Sequence, residues 1–163
     1  MPRATTPKIV PSDLPAGALE QALAACEKAG ARLTDARLNA YTELVVQGRA
    51  LSAYELLALL EKRENRKLAP LSVYRRLDFL TEVGLVHRLA SAQAFLACDH
   101  PDHPHDALYL VCSTCGHADE LESASLSKLL DKAANSRHFT SNRQVVELEG
   151  TCENCASQEG DDA

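Results

Sequence analysis

Apolar residues recur at helical spacing in four segments of the first half of the chain. The first segment, about residues 16–29, is alanine-rich, and the second follows Thr34, a candidate N-cap, and stops at Gly48. The third begins at Ser52, which has a glutamate at capping-box spacing, and continues as LLALLEKRENR. The fourth, VYRRLDFLTEV, follows a proline and Ser72. The pattern predicts four helices, the last of them capped by Ser72.

After Gly84 the chain changes to short strand-like runs. LVHRLA and QAFLAC are separated by Ser91 and Ala92, which predicts a β-hairpin. Helices followed by such a hairpin are typical of a winged helix-turn-helix, whose last helix enters the major groove of DNA. A small helical bundle with an appended hairpin fits the same pattern, so both interpretations stay open at this point.

The second half predicts a small α/β unit. The stretch CDHPDHPHD, with two prolines, suits an extended connection. ALYLVC and ADELE then predict strands, SASLSKLLDKAANS a helix, and RQVVELEGTC a further strand. We therefore expect an α+β protein with an N-terminal winged helix-turn-helix domain and a small C-terminal α/β domain. The expected boundaries are a tail over 1–15, the helical domain over 16–99, a hinge over 100–106, the α/β domain over 107–156 and an acidic tail over 157–163.

Composition and charge narrow the class of protein. With 45% apolar and 25% charged residues the chain matches an ordinary soluble protein. No apolar run has membrane-spanning length, and MPRATTPKIVPSDLPAG lacks the apolar centre of a secretion signal, so we expect a cytoplasmic protein without a membrane partner. The net charge of −6 argues weakly against nucleic acid, because phosphate neutralisation supplies most of that binding energy.

The charge is distributed unevenly, however. Residues 62–76 hold six Lys or Arg against one Glu. Arg75 and Arg76 lie in the first turns of the predicted last helix, where they are candidates for DNA contact, although such a pair can also simply solvate a helix face. Four other basic residues of this stretch fit non-specific phosphate contacts, namely Lys62, Arg63, Arg66 and Lys67.

Four of the six cysteines form two C-x-x-C pairs, Cys112 with Cys115 and Cys152 with Cys155. Each pair follows a predicted strand, and together they supply the four thiolates that zinc binds as a tetrahedron. With every position filled by protein, such a zinc is structural and would stabilise a unit of about 55 residues, which is small for a core alone. Two redox-active dithiols are the alternative interpretation.

A second group of candidate metal ligands is His87, Cys98, His105 and Glu120. Two belong to the helical half and two to the α/β half, so a metal bound by all four would fix the relative orientation of the halves. Zinc accepts this mixture of N, S and O ligands, although a lone strand His or Glu is commonly structural. The other candidates have simpler interpretations: His100 and His103 as linker residues or a weak third site, His117 and His138 as surface groups, and Cys26 as a buried apolar residue.

Over about residues 18–155 the chain resembles the ferric uptake regulator superfamily of metal-sensing repressors, and within it the zinc uptake regulator branch. The motifs that carry the resemblance are SAYELL, SVYRRLDFLTEVGLVHRL, the run from FLACDH through LYLVCSTCG, and VVELEGTCENC. The resemblance implies an exchangeable regulatory zinc on His87, Cys98, His105 and Glu120. It also implies a homodimer joined through the α/β half, with Tyr54 and Arg75 in contact with operator DNA.

The sequence therefore predicts a transcriptional repressor rather than an enzyme. It would bind palindromic operator DNA as a homodimer when its regulatory zinc site is filled, and silence zinc-uptake genes. We expect one structural and one regulatory zinc per subunit and no small-molecule substrate. DALY stands where iron sensors carry an HHDH-like cluster, which disfavours iron and manganese. The alternatives are a sensor of another metal or of peroxide, a structural zinc protein, and a zinc hydrolase, although the chain has no H-E-x-x-H.

Overall fold

The computed structural model describes residues 7, 10–101, 107–121, 123–141 and 144–159. The chain divides into two compact units, Met1–His103 and Pro104–Ala163. Helices and short sheets occur in both units, which confirms the predicted α+β class. Among the described residues, no helix has the length and apolar character needed to cross a lipid bilayer.

The first unit contains the four predicted helices, α1 Ala18–Lys28, α2 Asp35–Gln47, α3 Ala53–Glu64 and α4 Pro70–Glu82. Two of the predicted caps are present. The Thr34 hydroxyl accepts a hydrogen bond from the backbone N–H of Arg37. Ser52 and Glu55 form a reciprocal capping box, with the Glu55 N–H donating to Ser52 Oγ and the Ser52 N–H donating to the Glu55 carboxylate. Local side-chain chemistry therefore sets where α2 and α3 begin.

Helix α4 begins three residues earlier than predicted, at Pro70 rather than at Val73. Ala69 is its N-cap and supplies no side-chain cap, while the Ser72 hydroxyl donates to the Ala69 carbonyl at 2.7 Å. The assignment of Ser72 as the cap was wrong for a physical reason. Proline at the first helical position lacks only an N–H that the helix does not use, and its fixed φ already suits the helix.

A three-stranded antiparallel sheet completes the first unit, in the order β1-β3-β2. Its strands are β1 Leu51–Ser52, β2 Val86–Leu89 and β3 Ala94–Ala97. The β2–β3 hairpin confirms the predicted wing. The two-residue strand β1 was not predicted, because it is too short to show alternation and exists only through its pairing with β3.

The core of the first unit consists mainly of leucine. Its largest fully buried side chains come from α2, α3, α4, the sheet and the loops beside them: Leu33, Leu38, Tyr41, Leu44, Leu51, Leu56, Leu60, Leu77, Leu80, Leu85 and Leu89. With so few aromatic residues, branched aliphatic side chains fill the space between the helices. This core holds α3 and α4 in position and leaves one side of each helix in solvent.

The second unit contains β4 Ala107–Cys112, β5 Ala118–Leu121, α5 Ala124–Asn135, β6 Val145–Gly150 and α6 Glu153–Glu159. Its sheet has the order β5-β4-β6, with β4 antiparallel to β5 and parallel to β6. All of these elements except α6 were predicted. The short helix α6 begins directly after Cys152 and includes Cys155. It was not predicted, because these residues were interpreted only as a metal-ligand motif.

Candidate metal centres and nucleic-acid interface

Four cysteine sulfurs converge at one end of the second unit. Cys112 ends β4 and Cys115 lies in the turn that follows it. Cys152 directly precedes α6, and Cys155 lies in its first turn. All four Sγ atoms are within 4.8 Å of one another, and those of Cys115 and Cys152 are 3.8 Å apart. A tetrahedral zinc with Zn–S bonds of about 2.3 Å separates its sulfurs by about 3.8 Å. Both the ligand type and the spacing therefore fit zinc.

Backbone hydrogen bonds hold the two cysteine pairs in place. The Ser113 N–H donates to the Gly150 carbonyl at 2.9 Å, which ties the turn after β4 to the end of β6. The Gly116 N–H donates to the Cys112 carbonyl, and Gly116 has φ +73°, a conformation that favours glycine. The geometry of the cluster thus follows from the parallel pairing of β4 with β6 and one tight turn.

Hydrogen bonds from the backbone favour the thiolate form of Cys112. The backbone N–H of Cys152 donates to Cys112 Sγ at 3.4 Å. This hydrogen bond and one from the Cys115 backbone lower the pKa of the Cys112 thiol to about 5. In contrast, hydrogen bonds with the Cys152 and Cys115 side chains raise the pKa of Cys155 to about 12. A bound dication would favour the thiolate at every position, because a coordinating thiol is deprotonated.

Two of the four predicted regulatory ligands lie together in the wing of the first unit. His87 is in β2 and Cys98 directly follows β3, where its N–H donates to the Leu85 carbonyl at 2.9 Å. Both side chains are buried, at 7% and 4% exposure. A ring nitrogen of His87 and the Cys98 Sγ lie within 4.8 Å of each other. The hairpin therefore presents an imidazole and a thiol as a preformed pair.

The other two predicted regulatory ligands belong to the second unit. Glu120 lies in β5, opposite Tyr109 in β4, and its carboxylate accepts a hydrogen bond of 3.4 Å from the Tyr109 hydroxyl. Glu120 is half-buried and Tyr109 is fully buried. The predicted ligand His105 lies outside the described residues.

The candidate DNA-contacting residues differ in exposure. Tyr54, the second residue of α3, is 68% exposed, and Arg75 of α4 is also exposed. Arg76 is only 7% exposed and forms an ion pair with Glu64, the last residue of α3. This burial contradicts the expectation that Arg76 contacts DNA, because its guanidinium already binds a carboxylate inside the protein.

Glu64 is the centre of a partly buried polar network between three helices. Its carboxylate accepts hydrogen bonds from the guanidinium of Arg76 in α4 at 2.5 and 3.4 Å, and from Asn39 in α2 at 3.4 Å. Arg66 also donates to it from the surface. Burial raises the pKa of Glu64, but the hydrogen bonds and charge of Arg76 outweigh this and hold the pKa below its ordinary value. The network links the end of α3 to the middle of α4 and to α2.

Other basic residues of the 62–76 stretch are also paired with acids. Arg63 binds Glu43 of α2 and Asp13 of the N-terminal segment. Lys67 binds Glu61 at 2.9 Å. These pairs reduce the positive charge available for phosphate. The partners of Arg63 lie 20 and 50 residues before it in the sequence, too far away for the pairing to be predicted from the sequence. Lys62 is exposed, as expected for a phosphate-binding residue.

The remaining candidates have the locations that the sequence predicted. Cys26 is buried in α1 at 1% exposure, and His117 and His138 are exposed. His117 lies 3.1 Å from the Asp119 carboxylate. His100 is exposed, while His103 lies outside the described residues.

Comparison with known proteins identifies relatives over most of the chain. The profile of the Ferric uptake regulator family matches residues 28–149. The "Zinc uptake regulation protein" of Escherichia coli K12 is 34% identical over 142 residues, which are 86% of this chain and 82% of that protein. Both the family match and this relative cover the two units.

Solved structures of zinc uptake regulators are also similar to this chain over most of its length. The structure of a zinc uptake regulator complexed with zinc and DNA has a TM-score of 0.80 and 32% identity, and covers 90% of this chain and 99% of that one. Holo XcZur has a TM-score of 0.71 and 38% identity, and covers 82% of this chain and 93% of its own.

Proposed function

The chain belongs to the ferric uptake regulator family, and on this premise we propose that it is a zinc-responsive transcriptional repressor rather than an enzyme. It acts in the cytoplasm, where it binds palindromic operator DNA as a homodimer when zinc is plentiful and silences genes of zinc uptake. The observation that carries the proposal is the buried His87–Cys98 pair in the wing, with its ligand atoms within 4.8 Å. A thiol beside an imidazole favours zinc over the N/O sites of iron and manganese.

The regulatory zinc is held by His87 and Cys98 of the first unit and by His105 and Glu120 of the second. Because the ligands come from both units, zinc can stabilise one arrangement of the chain over others. It acts as a switch only if it binds the DNA-competent arrangement more tightly, since equal affinity for both would shift nothing. Linkage of this kind typically amounts to about 1–3 kcal/mol.

A second, structural zinc is held by Cys112, Cys115, Cys152 and Cys155. The support is the convergence of four sulfurs at a spacing that suits a tetrahedron. No ligand position remains for water, so this zinc would contribute to folding rather than to chemistry. We thus assign two zinc ions to each subunit, one for the fold and one for the response.

DNA is read by the winged helix of residues 16–99. Tyr54 and Arg75 contact the operator, and their exposure supports this assignment. An arginine that donates two hydrogen bonds to a guanine edge contributes about 1–3 kcal/mol of discrimination against other bases. We assign residues 100–106 to a hinge and residues 107–156 to dimerisation.

Exposed apolar side chains of the second unit support the homodimer. Among the described residues of this unit, the large apolar side chains that are exposed are Leu110, Leu121, Leu129, Phe139, Val145 and Leu148, with exposures of 39–65%. None of the residues of α5 is buried. Leu110 and Leu148 are register partners on neighbouring strands and so lie on one face of the sheet. A second copy of the chain that covers this surface would remove it from water.

The test is operator binding across a series of buffered free-zinc concentrations. We expect the wild-type chain to bind more tightly as zinc rises, and Cys98→Ser to fold normally but lose this response. Cys26→Ala removes a thiol that lies outside both clusters and should respond like wild type. A normal zinc response from Cys98→Ser would overturn the assignment of the regulatory site.

The same titration separates the alternatives. A sensor of iron, manganese or peroxide would bind operator DNA in response to those species and ignore zinc. A structural zinc protein without a sensing role would bind DNA, if at all, equally well at every free-zinc concentration.

A further inference from the structure

The exposed face of α4 changes character along its length. Leu71, Tyr74 and Arg75 lie in its first half and are exposed, while Asp78 and Glu82 are exposed in its second half. At 100° per residue all five project within one sector of the helix. The N-terminal half is therefore apolar and basic, and the C-terminal half is acidic.

This change of charge along α4 favours the approach of its N-terminal half to DNA. No acidic residue lies in the first turn of α4. Asp78 and Glu82 would be repelled by phosphates, whereas Arg75 would be attracted. In helix-turn-helix proteins the N-terminal residues of the recognition helix reach the base edges. Leu71, the second residue of α4, then occupies the leading end.

Leu71 is unusual at this position, because it is 60% exposed. It is not one of the core residues of α4, which are Val73, Leu77, Phe79 and Leu80 on other sides of the helix. Its side chain can neither donate nor accept a hydrogen bond. The one apolar group that a base pair presents in the major groove is the C5-methyl of thymine.

Resting on the function proposed above, we propose that Leu71 is a specificity-determining residue that reads a thymine methyl in each operator half-site. Arg75 lies one helical turn further along the same face, about 6 Å away along the axis. At 3.4 Å per base pair the thymine is expected about two base pairs from the base that Arg75 contacts. Leu71 thus adds a requirement for thymine that the hydrogen bonds of Arg75 cannot impose.

The experiment removes single methyl groups from the DNA. Operator duplexes are first selected from a random library by the zinc-loaded full-length protein. Each thymine is then replaced in turn by uracil, which pairs identically but lacks the methyl. Affinities are measured for wild type, Leu71→Ala and Val46→Ala, the last being another exposed apolar residue of the first unit that lies outside α4. Thermal unfolding checks that all three are equally folded.

We expect one thymine per half-site at which uracil weakens wild-type binding about three- to fivefold, as for one buried methyl. Leu71→Ala should show the same weakening on the unmodified duplex and no further loss on the uracil duplex, while Val46→Ala behaves like wild type. The proposal is overturned if no thymine gives this effect, or if Leu71→Ala loses affinity on the uracil duplex as wild type does. A library that yields no zinc-dependent sequence would overturn the proposed function and this inference with it.

Discussion

Adjacent arginines on α4 allow a sharp test of the difference between reading DNA and holding the fold. Arg75 is exposed, whereas the side chains of Arg76 and Glu64 are each only 8% exposed and form an ion pair. The perturbation is Arg76→Ala, with Arg75→Ala as its matched control. The first leaves a buried carboxylate without its main partner, and the second removes a charge that already lies in water.

The magnitude follows from the contacts of Glu64. Removal of one partner of a buried pair costs about 3–5 kcal/mol, since the other charge stays buried and uncompensated. Here Arg66 and Asn39 still donate to the carboxylate, so we expect about 2–3 kcal/mol for Arg76→Ala. Arg75→Ala should change the free energy of unfolding by less than about 0.5 kcal/mol, as is usual for an exposed site.

Urea unfolding measures this difference. With a slope of about 2 kcal/mol per molar urea, the midpoint for Arg76→Ala should fall by about 1 M or slightly more. Arg75→Ala should unfold at the wild-type urea midpoint and lose about 1–3 kcal/mol of operator binding free energy. Replacement of both charged partners, as in Glu64→Leu with Arg76→Met, should restore most of the stability, because an apolar pair of similar size has no desolvation cost.

The opposite pattern would refute this reasoning. If Arg76→Ala unfolded at the wild-type urea concentration but failed to bind DNA, Arg76 would be a DNA contact and its pairing with Glu64 would be dispensable. Failure of the apolar double variant to recover stability would show that Glu64 acts through other contacts.

Further predictions concern pH, metal and assembly. Because the folded pKa of Glu64 is lowered, its contribution to the free energy of unfolding is fully present above the unfolded pKa of about 4.3 and is lost as the pH falls through the folded pKa. In parallel urea titrations, wild type should therefore lose more stability on acidification than the Glu64→Leu, Arg76→Met variant. In calorimetry, a zinc chelator should lower the thermal midpoint of wild type, and Cys112→Ser should have a lower midpoint even without chelator. The control Cys26→Ala should be as sensitive to the chelator as wild type. Leu129→Asp, at a position 62% exposed on α5, should shift the chain from dimer to monomer in sedimentation and weaken operator binding; an unchanged dimer would place the interface elsewhere.

Much of the fold could be predicted because its signals are local. Thr34 and Ser52 cap helices through contacts three residues away, and the turn after Leu89 separates two runs that pair directly. Strand β1 and the true start of α4 escaped prediction. The first depends on pairing with a strand more than forty residues away, and the second on the special tolerance of the first helical position for proline.

The different environments of Arg75 and Arg76 are already present in the helical pattern of α4. Arg76 lies three residues after Val73 and four before Leu80, and so on the apolar side of α4, while Arg75 is rotated by 100° away from it. The helical pattern alone therefore placed Arg76 toward the core. What the sequence could not supply was its partner, since Glu64 belongs to another helix and its role depends on how α3 packs against α4.

The parallel pairing of β4 with β6 has a consequence for how the chain is made. Ala107 pairs with Val145, so the central pairing of the second unit must close a long loop before it gains any contact. Such non-local pairing is slow. The four cysteines lie where both strands end, and a zinc ion there would join the ends of this loop. A newly synthesised chain would then need one zinc to complete its second unit before another could report on supply. On the proposed assignment of two zinc sites, we therefore expect the cysteine cluster to bind zinc more tightly than the regulatory site. A repressor that lost both ions together would unfold at the zinc concentration at which it should only release DNA.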